Sequence, residues 1–413
     1  MKIKSTVVFV TSAQPSANPR MLKEANALLS AGFKVTIIWC PIAKWADPFD
    51  EKLFTQHPDI KWVKAGYHHQ KQPIGYWYAR LRQKFWKIVY WLIGNRSDAA
   101  IKSMVLYSQE LTKSALKQQS DLYIGHNLGA LPAIIKASQK YKAKAIFDFE
   151  DFHRGEFQEF SVQSIMISLV EDKYIPEVHS ITTASPGITQ SYKAIFPNKV
   201  INTINNVFPL GYAVKEIVQL SQKPLKLFWF SQYVGRRRGL ENILQAMSAF
   251  NEDEITITLL GTCSSEMRSY FGDLASSLHL SQHQLLFMDP VEEKEIVAIA
   301  SQHHIGVASE LGYIQNRELC LTNKIFMYLL AGNALIMTDT KSQKDFLNAN
   351  KNIGLLYDQT SVDSLVNALK IYIENPDLLN QHRLNALNLA KEKMNWETEQ
   401  QLFLDNVNRR LNS

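Results

Sequence analysis

The sequence predicts an α/β protein with two domains, each built on a parallel sheet. Continuous apolar runs such as Thr6–Ser12 are typical of buried parallel strands, and they alternate with segments of helical periodicity. The alternation begins again after residue 212, and 413 residues are too many for one core. We therefore predict an N-terminal domain at 1–212, a C-terminal domain at 213–390 and a closing helix at 391–413.

The first half begins with a strand–helix–strand unit. The strand TVVFVTS is followed by the helix RMLKEANALLSAGF, which ends near Gly32, and then by the strand KVTIIWC. The right-handed crossover of such a unit makes its two strands parallel. Further along, the pattern predicts the strands DLYIGHN, AKAIFDFE, SITTAS and VINTINN and the helices LPAIIKASQKY and GITQSYKAIF.

The second half repeats the alternation with its own elements. The predicted strands are LKLFWFSQ, ITITLLGT, QLLFMD, IGVASE, ALIMTDT and GLLYD. The predicted helices are GLENILQAM, EMRSYFGDLASSL, EKEIVAIASQ, NKIFMYLLAG, SVDSLVNALKIYIEN, PDLLNQHRLNALNLAKEKM and WETEQQLFLDNVNRRLN. Ligands of open parallel sheets bind beyond the carboxyl ends of the strands, so the loops after strands are the places to search. A cleft between the two domains is the expected pocket.

Composition limits the class of protein and its location. An apolar content of 46% and a charged content of 20% indicate an ordinary globular chain. The start MKIK leads to no secretory signal, and apolar runs such as Ile88–Ile93 are too short to span a bilayer. Three distant cysteines match no metal spacing and indicate a reduced, cytoplasmic setting. The positive charge is concentrated in residues 1–200, which favours an anionic surface or partner nearby.

A loop with three arginines follows the first strand of the C-terminal domain. Arg236, Arg237 and Arg238 stand between that strand and a helix that begins at about Gly239. Helix N-termini present free N–H groups and the positive end of the helix dipole, so anions bind there. The alternative is three solvated arginines on a surface loop. The strand–loop–helix context favours a phosphate or diphosphate site.

A second anion site is predicted at the start of the segment LTNKIFMYLLAGNALIMTD. Thr322 and Asn323 are suitable caps for its helix, Leu321 precedes them, and Lys324 supplies a cation. The alternative is a core helix with ordinary caps.

Ionisable side chains follow two strands of the N-terminal domain. His126 ends one predicted strand, and Glu150, Asp151 and His153 follow the next. Such a set can bind sugar hydroxyls or act as acid and base. The spacing of Glu150 and His153 also fits two metal ligands, but no third ligand accompanies them, so we predict no metal. Arg20 ends a Pro- and Ser-containing loop after the first strand, which is either a ligand site or a plain connector.

Residues 75–96 predict a basic amphipathic helix rich in aromatics. Such a helix is typical of binding to an anionic membrane surface. The alternative is a core helix with a solvated basic face. Nucleic acid is not expected as a partner, because no nucleic-acid-binding motif accompanies the charge.

The chain as a whole resembles the bacterial GT-B glycosyltransferases, in the large retaining group that makes cell-surface polysaccharides. The resemblance is carried, in order, by SAQPSANPRMLKEANALLSAGFKVTII, AIFDFEDFH, INNVFP, GRRRGLENILQAM and NKIFMYLLAGNALIMTD. It implies two Rossmann-like domains that face a central cleft, with the closing helix at 391–413 packing back on the N-terminal domain. It also implies transfer of a hexose-type sugar from a nucleotide-diphosphate sugar to a glycan or lipid-linked acceptor, with retention of configuration and without a cofactor. The expected location is the cytoplasm, at the inner face of the membrane.

The resemblance also implies roles for individual residues. The donor diphosphate would bind Arg237, Arg238 and Lys324 and the backbone at Leu321–Asn323. His126 and Glu150 would be catalytic, and the acceptor-binding residues would be Arg20, Asp151 and His153.

Three positions depart from the family pattern. Met327 stands where the family has a glutamate that grips the nucleotide ribose, and Leu319 stands at a second glutamate position. Glu318, one place away, or Glu310 could substitute for these, and Tyr328 or the main chain could bind the ribose. Glu150 occupies the position of a sugar-contacting histidine. Two alternatives therefore stay open: a non-catalytic glycan- or partner-binding relative, and a nucleotide-sugar epimerase.

Overall fold

In the computed structural model, which describes residues 5–94 and 96–413, the chain folds into two α/β units. The first comprises Met1–Ile204 with Gln400–Ser413, and the second comprises Asn205–Glu399. Residues 1–4, which carry the basic start, and Asn95, which belongs to the predicted membrane-binding segment, lie outside the described residues.

The first unit ends at Ile204 and not near residue 212, because the following residues bind the C-terminal part of the second unit. Both the amide nitrogen and Nδ2 of Asn205 donate to the carboxylate of Glu399, at 3.0 and 2.6 Å. The amide of Trp396 donates to the carbonyl of Phe208 at 2.9 Å.

The final helix is divided between the two units. Residues from Gln400 onward belong to the first unit, whereas the preceding residues belong to the second. In the first unit, Asn406 Oδ1 accepts hydrogen bonds from Ser180 Oγ at 3.4 Å and from Asn202 Nδ2 at 3.1 Å.

A parallel sheet forms the centre of the first unit. Its strands, within the described residues, are β1 Thr6–Thr11, β2 Lys34–Trp39, β3 Lys61–Lys64, β4 Leu122–His126, β5 Lys144–Phe149, β6 Ser180–Thr183 and β7 Ile201–Thr203. They lie in the order β3-β2-β1-β4-β5-β6-β7. The predicted strands are confirmed. The edge strand β3 was not predicted, because its alternating polar residues form no continuous apolar run.

Helices connect these strands. Their bounds are α1 Pro19–Ser30, α2 Asp47–Gln56, α3 Pro73–Ile93, α4 Ser97–Met104, α5 Ser108–Ala115, α6 Leu131–Tyr141, α7 Val162–Tyr174 and α8 Pro186–Ile195. Helix α1 begins where the sequence predicts, because Asn18 caps it by accepting a hydrogen bond from the amide of Met21 at 2.9 Å and Pro19 fits its first turn.

The second unit repeats the architecture around its own core. Its strands, in the part of the chain that the structure describes, are β8 Leu225–Tyr233, β9 Ile255–Thr262, β10 Leu285–Met288, β11 Ile305–Ala308, β12 Ala334–Thr338 and β13 Gly354–Tyr357, in the order β10-β9-β8-β11-β12-β13. Its helices are α9 Leu240–Met247, α10 Ser265–Ser277, α11 Glu293–Ala300, α12 Gln315–Leu319, α13 Asn323–Ala331, α14 Lys341–Ala349, α15 Val362–Glu374 and α16 Pro376–Glu392, and α17 Trp396–Leu411 ends the chain.

Both sheets are buried on both faces, as the continuous apolar strands predict. Trp229 of β8 and Ile336 of β12, for example, lie in one hydrophobic cluster with Leu244 of α9. The predicted α/β class with two parallel sheets is confirmed. Across residues 5–94 and 96–413, none of the helices has the length and apolar character needed to cross a membrane.

Candidate functional site

Each sheet reverses its strand order at one point, and the predicted site residues follow the strands there. In the first sheet β1 lies between β2 and β4, and in the second β8 lies between β9 and β11. Ligands of open parallel sheets bind beyond the strand ends at such a reversal. His126 ends β4, whereas Arg238 and Ser309 follow β8 and β11.

Arg20 and Asp148 form a buried ion pair in the first unit. Arg20 donates two hydrogen bonds of 2.8 Å to the carboxylate of Asp148 and one of 2.6 Å to the carbonyl of Ile204. Thr182 Oγ1 donates to the same carboxylate at 2.5 Å. Burial alone would lower the pKa of Arg20, but the charge of Asp148 outweighs it and raises that pKa. Arg20 was predicted to bind the acceptor. In the structure its guanidinium is hydrogen-bonded to Asp148 and Ile204 instead, and the residue is only 2% exposed.

His126 bridges three carboxylates. Its Nε2 lies 3.0 Å from Glu24 Oε2, and its Nδ1 lies 3.5 Å from Asp148 Oδ2 and 3.4 Å from Glu150 Oε1. Burial alone would lower the pKa of His126, but Glu24, Glu150 and Asp148 raise it to about 10. The imidazole is therefore protonated at neutral pH, and both ring nitrogens donate.

Glu24 belongs to this set but was not predicted as a site residue. It stands one helical turn after Arg20 on α1, and its Oε1 lies 3.7 Å from Arg20 Nε. The spacing of four residues places both on one face of the helix, which is the signal that could have found it. We call Arg20, Glu24, His126, Asp148 and Glu150 the N-terminal ionic cluster.

Glu150 is the member of the N-terminal ionic cluster that reaches solvent. Its side chain is 27% exposed, whereas Glu24, His126 and Asp148 are fully buried. A ligand that meets this cluster will therefore contact Glu150, with His126 behind it.

Two groups of side chains have the spacing of metal ligands. One group is Glu24, His126 and Asp148, where both ring nitrogens of His126 face carboxylates of the protein. The other group is Asp47, His68 and His69. Within it, His68 Nδ1 accepts hydrogen bonds from the backbone amides of Gln70 and Lys71, at 3.2 and 3.1 Å. Its proton then lies on Nε2, which faces Asp47 Oδ2 at 2.9 Å. His126 and His68 therefore each have a ring nitrogen engaged by a carboxylate of the protein, whereas Nε2 of His69 is buried and has no hydrogen-bond partner among the described residues.

His153 and Asp151 lie on the loop after Glu150, with other partners. His153 Nδ1 lies 2.5 Å from Glu156 Oε1. Burial alone would lower the pKa of His153, but Glu156, with smaller contributions from Glu171 and Asp151, raises it to about 9. Glu150 therefore contacts His126 of the N-terminal ionic cluster, whereas His153, in the part of the chain that the structure describes, pairs with Glu156.

The three arginines after β8 diverge. The guanidinium carbon of Arg236 lies 3.8 Å from the ring centre of Tyr270, and Arg237 is exposed with a φ of 60°. Arg238 turns inward and donates to Ser231 Oγ at 2.9 Å. Of the predicted donor-binding arginines, Arg238 is the one that the structure holds at the ends of β8 and β11.

The loop of Arg238 packs directly against the end of β11. A Cβ on Gly239 would lie 2.5 Å from the carbonyl oxygen of Ser309, so the close approach and the φ of 76° both require glycine. Ser309 Oγ donates to the carbonyl of Arg238 at 2.6 Å. This contact places Arg238 beside Glu310, the next residue after Ser309.

Glu310 is surrounded by three cations. Lys324 Nζ lies 2.5 Å from Glu310 Oε1, and Arg317 lies 3.1 Å from Oε2. Burial alone would raise the pKa of Glu310, but Lys324, Arg317 and Arg238 hold it below its ordinary value. Three cations and one carboxylate leave a net charge of +2. We call Arg238, Glu310, Arg317 and Lys324 the C-terminal cationic cluster.

The N-terminus of α13 lies beside this cluster through Lys324. Thr322 is the N-cap residue, as predicted, but its side chain makes no capping hydrogen bond. Its Oγ1 is buried and has no hydrogen-bond partner among the described residues. Asn323 Oδ1 accepts a hydrogen bond from Asn206 Nδ2 at 3.0 Å, and Leu321 is buried. The first turn of α13 therefore lacks a side-chain cap, which suits it to an anion.

Comparison with known proteins agrees with this geometry. Residues 236–405 match a family model described as "Glycosyl transferase-like". No curated protein sequence matches the chain. Among solved structures, sucrose-phosphate synthase from Thermosynechococcus elongatus superimposes with a TM-score of 0.71 at 13% identity, covering 99% of both chains. Anabaena HepE in complex with UDP gives 0.71 at 12% identity, covering 98% of this chain and 100% of that one. A TarM mutant from S. aureus, in complex with fondaparinux, alpha-GlcNAc-glycerol and UDP, gives 0.67 at 11% identity with the same coverage.

The protein has the GT-B glycosyltransferase fold. The resemblance stated from the sequence motifs is thereby confirmed.

In this GT-B chain, the residues expected to replace the family's ribose-binding glutamate are engaged elsewhere. Glu318 Oε2 accepts a hydrogen bond from the amide of Lys341 at 2.9 Å, at the start of α14, and Oε1 accepts one from Gln359 Nε2 at 3.3 Å. Tyr328 is buried, and its hydroxyl donates to the carbonyl of Val307 at 3.2 Å. Met327 is 1% exposed and fills the core beneath α13.

Arg317 is a further residue of the C-terminal cationic cluster that the motifs did not assign, whereas Glu310 was considered from the sequence as a substitute for a family glutamate. Glu310 carries a signal like that of Glu150, since each is an acidic residue within two positions of the end of a buried strand. Arg317 lies on the short helix α12 and carries no comparable signal, because its contact with Glu310 depends on the path of the chain between β11 and α13.

Proposed function

We propose that the protein transfers a hexose-type sugar from a nucleotide-diphosphate sugar to a glycan or lipid-linked acceptor, with retention of configuration, in cell-surface polysaccharide synthesis. The observation that carries the proposal is the net charge of +2 on the C-terminal cationic cluster, at the strand reversal of the second sheet. A diphosphate is the ligand that matches this charge and the uncapped start of α13.

The donor would bind through its diphosphate. Arg238 has a guanidinium fork suited to phosphate oxygens, and the amides at Leu321–Asn323 would hold a second set. Lys324 is buried against Glu310, so it acts on the diphosphate through its charge and through the position of Glu310. Arg237 is exposed and free to move toward the outer phosphate. Glu318 would act on the donor site only by fixing α14.

The catalytic requirement is to stabilise negative charge on the departing nucleoside diphosphate. Arginine and a helix N-terminus supply that stabilisation without a metal ion. Neutralising the leaving group lets the bond between the anomeric carbon and the phosphate oxygen break ahead of attack. The acceptor hydroxyl then attacks from the same face and gives its proton to the departing diphosphate oxygen. Retention of configuration follows from that front-face geometry.

The acceptor would meet the N-terminal ionic cluster. Glu150 is its exposed carboxylate, and the His126 imidazolium at 3.4 Å holds Glu150 by a charge-assisted hydrogen bond. An ionised carboxylate can orient a sugar hydroxyl by accepting its hydrogen bond. Asp151 and His153 follow on the same loop and would contact the rest of the acceptor, whereas Arg20 positions Asp148 from within the core.

Structural relatives support the choice of donor. Solved structures of HepE contain UDP and UDP-glucose. We extend that donor class to this chain because of its own cationic cluster. We further propose that the protein works in the cytoplasm, at the anionic inner face of the membrane, through residues 75–96.

The test is an activity screen with the full chain. UDP-, GDP-, ADP- and TDP-sugars are incubated with lipid-linked and free glycan acceptors, and glycosylated product and released nucleoside diphosphate are measured. We expect acceptor-dependent product with one donor, and loss of product in Arg238→Ala but not in Arg236→Ala. Absence of both turnover and nucleotide binding across the panel rejects the proposal. A changed sugar nucleotide formed without acceptor identifies an epimerase instead.

A non-catalytic role in binding a glycan or partner is the second candidate. Met327 favours it, because a buried thioether cannot accept the two ribose hydrogen bonds that a carboxylate accepts. This candidate expects Arg238→Ala to preserve function in cells. Loss of function in that variant, with unchanged protein level, excludes it.

A further inference from the structure

Helix α3 is anchored to the first unit by polar side chains. Arg82 makes two hydrogen bonds to the carboxylate of Glu110, at 2.7 and 2.6 Å. Gln83 Nε2 donates to the carbonyls of Ser103 and Met104, at 3.0 and 3.1 Å. Within Pro73–Ile93 only Ala79 and Tyr90 are classed as buried. Helices on globular proteins normally bury their apolar side chains, so this arrangement is inverted.

The outer face of α3 carries the apolar side chains. Its exposed residues recur at intervals of three and four, and their exposed fractions range from 57% to 87%. They are Ile74, Trp77, Leu81, Phe85, Ile88 and Leu92. An apolar stripe along a helix of 21 residues is far more than scattered surface apolar residues, and it indicates a surface that another phase or molecule covers.

The charged side chains beside this stripe are all basic. Arg80, Lys84 and Lys87 are exposed, and residues 73–94 contain no acidic residue. Arg82, which forms an ion pair with Glu110, lies on the anchored face of α3. An apolar stripe flanked by exposed cations is complementary to an anionic lipid surface.

A second element continues this surface. A groove of about 410 Å³ lies between α3, α4 and α7, and Lys87 and Trp91 line it together with Phe157, Val162 and Met166. The segment at 157–162 thus shares a wall with α3.

Phe160, within that segment, is exposed and adopts an unfavourable backbone conformation. Its φ is 62°, in the left-handed region that bulky residues avoid, and its side chain is 82% exposed. Phe160 is the third residue of a β-turn that the hydrogen bond from the amide of Ser161 to the carbonyl of Gln158 closes at 3.1 Å, so the turn explains the positive φ but not the choice of an aromatic side chain. A residue kept at a cost to folding and directed to solvent points to a role outside the fold.

We propose that α3 and residues 157–162 form one surface that inserts into the interface of an anionic phospholipid bilayer. The groove between α3 and α7 then takes a hydrocarbon chain, with Lys87 at the level of the headgroup phosphates. The loop that runs from Glu150 ends on this surface at Phe157 and Phe160. On the proposed function, on which this last step rests, the loop brings a lipid-linked acceptor to Glu150.

The test is co-sedimentation of the full chain with vesicles of phosphatidylcholine, with and without phosphatidylglycerol. We expect binding to the anionic vesicles, weakened by salt, and little binding to the neutral ones. Phe160→Asn should weaken binding several-fold without lowering the melting temperature, because asparagine tolerates a positive φ. Leu81→Ser should weaken it at least as much, whereas Leu286→Ser, an exposed apolar side chain of β10, should not.

Several results would overturn the proposal. The first is wild-type protein that stays in the supernatant with anionic vesicles. The second is equal binding to neutral vesicles, and the third is Phe160→Asn that binds like wild type. A concentration-dependent dimer that Leu81→Ser disrupts, without vesicle binding, would assign the face to self-association. Thermal shifts with nucleotide sugars are measured on the same variants. Variants that keep donor binding but lose vesicle binding separate this surface from the donor site. Wild-type protein that binds anionic vesicles but no nucleotide sugar rejects only the proposed function.

Discussion

Lys324 Nζ lies 2.5 Å from Glu310 Oε1, and both side chains are buried in the second unit. A buried pair of this kind contributes little by itself, because desolvation opposes the attraction, but removal of one partner leaves an uncompensated charge. Arg317 and Arg238 add the positive charge that the pair alone lacks. Glu310 therefore organises three cations at the point where a diphosphate would bind.

Replacing Glu310 with glutamine should destabilise the protein. Lys324 would remain buried without its carboxylate, and we expect a loss of about 3 kcal/mol in the free energy of unfolding. Urea unfolding at pH 7 measures the loss. Glu252→Gln, a change of the same kind at an exposed position, is the control and should stay within about 0.5 kcal/mol of wild type. Equal stability of the two variants would contradict the buried-pair interpretation.

The Glu310 interaction should disappear in acid. Because the pKa of Glu310 is held below its ordinary 4.5 in the folded protein, its contribution to stability is present above pH 4.5. The contribution is lost as the pH falls through the folded-state pKa. We expect the stability difference between wild type and Glu310→Gln to shrink below pH 4.5. A difference that stays constant in that range would show that the pKa is not lowered.

His126 should contribute stability in the opposite pH range. Its pKa rises from 6.5 to about 10 on folding, so its contribution is complete below pH 6.5 and is lost as the pH rises toward 10. The free energy of unfolding of wild type minus that of His126→Gln should therefore fall between pH 6.5 and 10. A difference that increases over this interval would mean that the imidazole is neutral in the fold.

Arg238 and Arg236 should differ in their effect on donor binding. Arg238 lies beside Glu310, whereas Arg236 stacks on Tyr270. Loss of a charge-assisted hydrogen bond costs about 2 kcal/mol, so Arg238→Ala should weaken binding of the nucleoside diphosphate roughly thirtyfold. Arg236→Ala should leave the Kd within about twofold. Isothermal titration calorimetry distinguishes the two, and equal effects would remove Arg238 from the site.

Placing the family's glutamate at position 327 should lower the stability of the protein. Met327 is buried, so Met327→Glu places a carboxylate in the core beneath α13 and should lower stability by several kcal/mol. Met327→Leu, which nearly conserves volume, should cost less than about 1.5 kcal/mol. Melting temperatures and donor affinities of both variants are compared. A stable Met327→Glu protein with tighter donor binding would show that position 327 faces the ribose.

The fold could be predicted because its signals are local. The apolar runs of β1 and β8 and the cap at Asn18 depend on neighbouring residues alone. The edge strand β3 was not predicted, because, within the described residues, it pairs only with β2 and its own four residues form no continuous apolar run.

Candidate site residues could be predicted where a side chain lies at the end of a strand or in the loop after it. His126 ends β4, Glu150 follows β5, and Arg238 lies in the loop after β8. Glu24 could have been found from its spacing of four residues from Arg20 on α1. Arg317 reaches Glu310 through tertiary packing, so no spacing in the sequence identifies that contact. The sequence predicted an amphipathic α3, but the inverted direction of its faces depends on the pairing of Arg82 with Glu110.

Binding of nucleotides to the full-length protein tests the central claim most directly. Calorimetry compares nucleoside diphosphate sugars, nucleoside diphosphates and nucleoside monophosphates of the same base. If the C-terminal cationic cluster holds the diphosphate, the first two bind saturably and the monophosphate binds at least tenfold more weakly. No binding by any of them, or a monophosphate that binds as tightly as the diphosphate, would contradict the account.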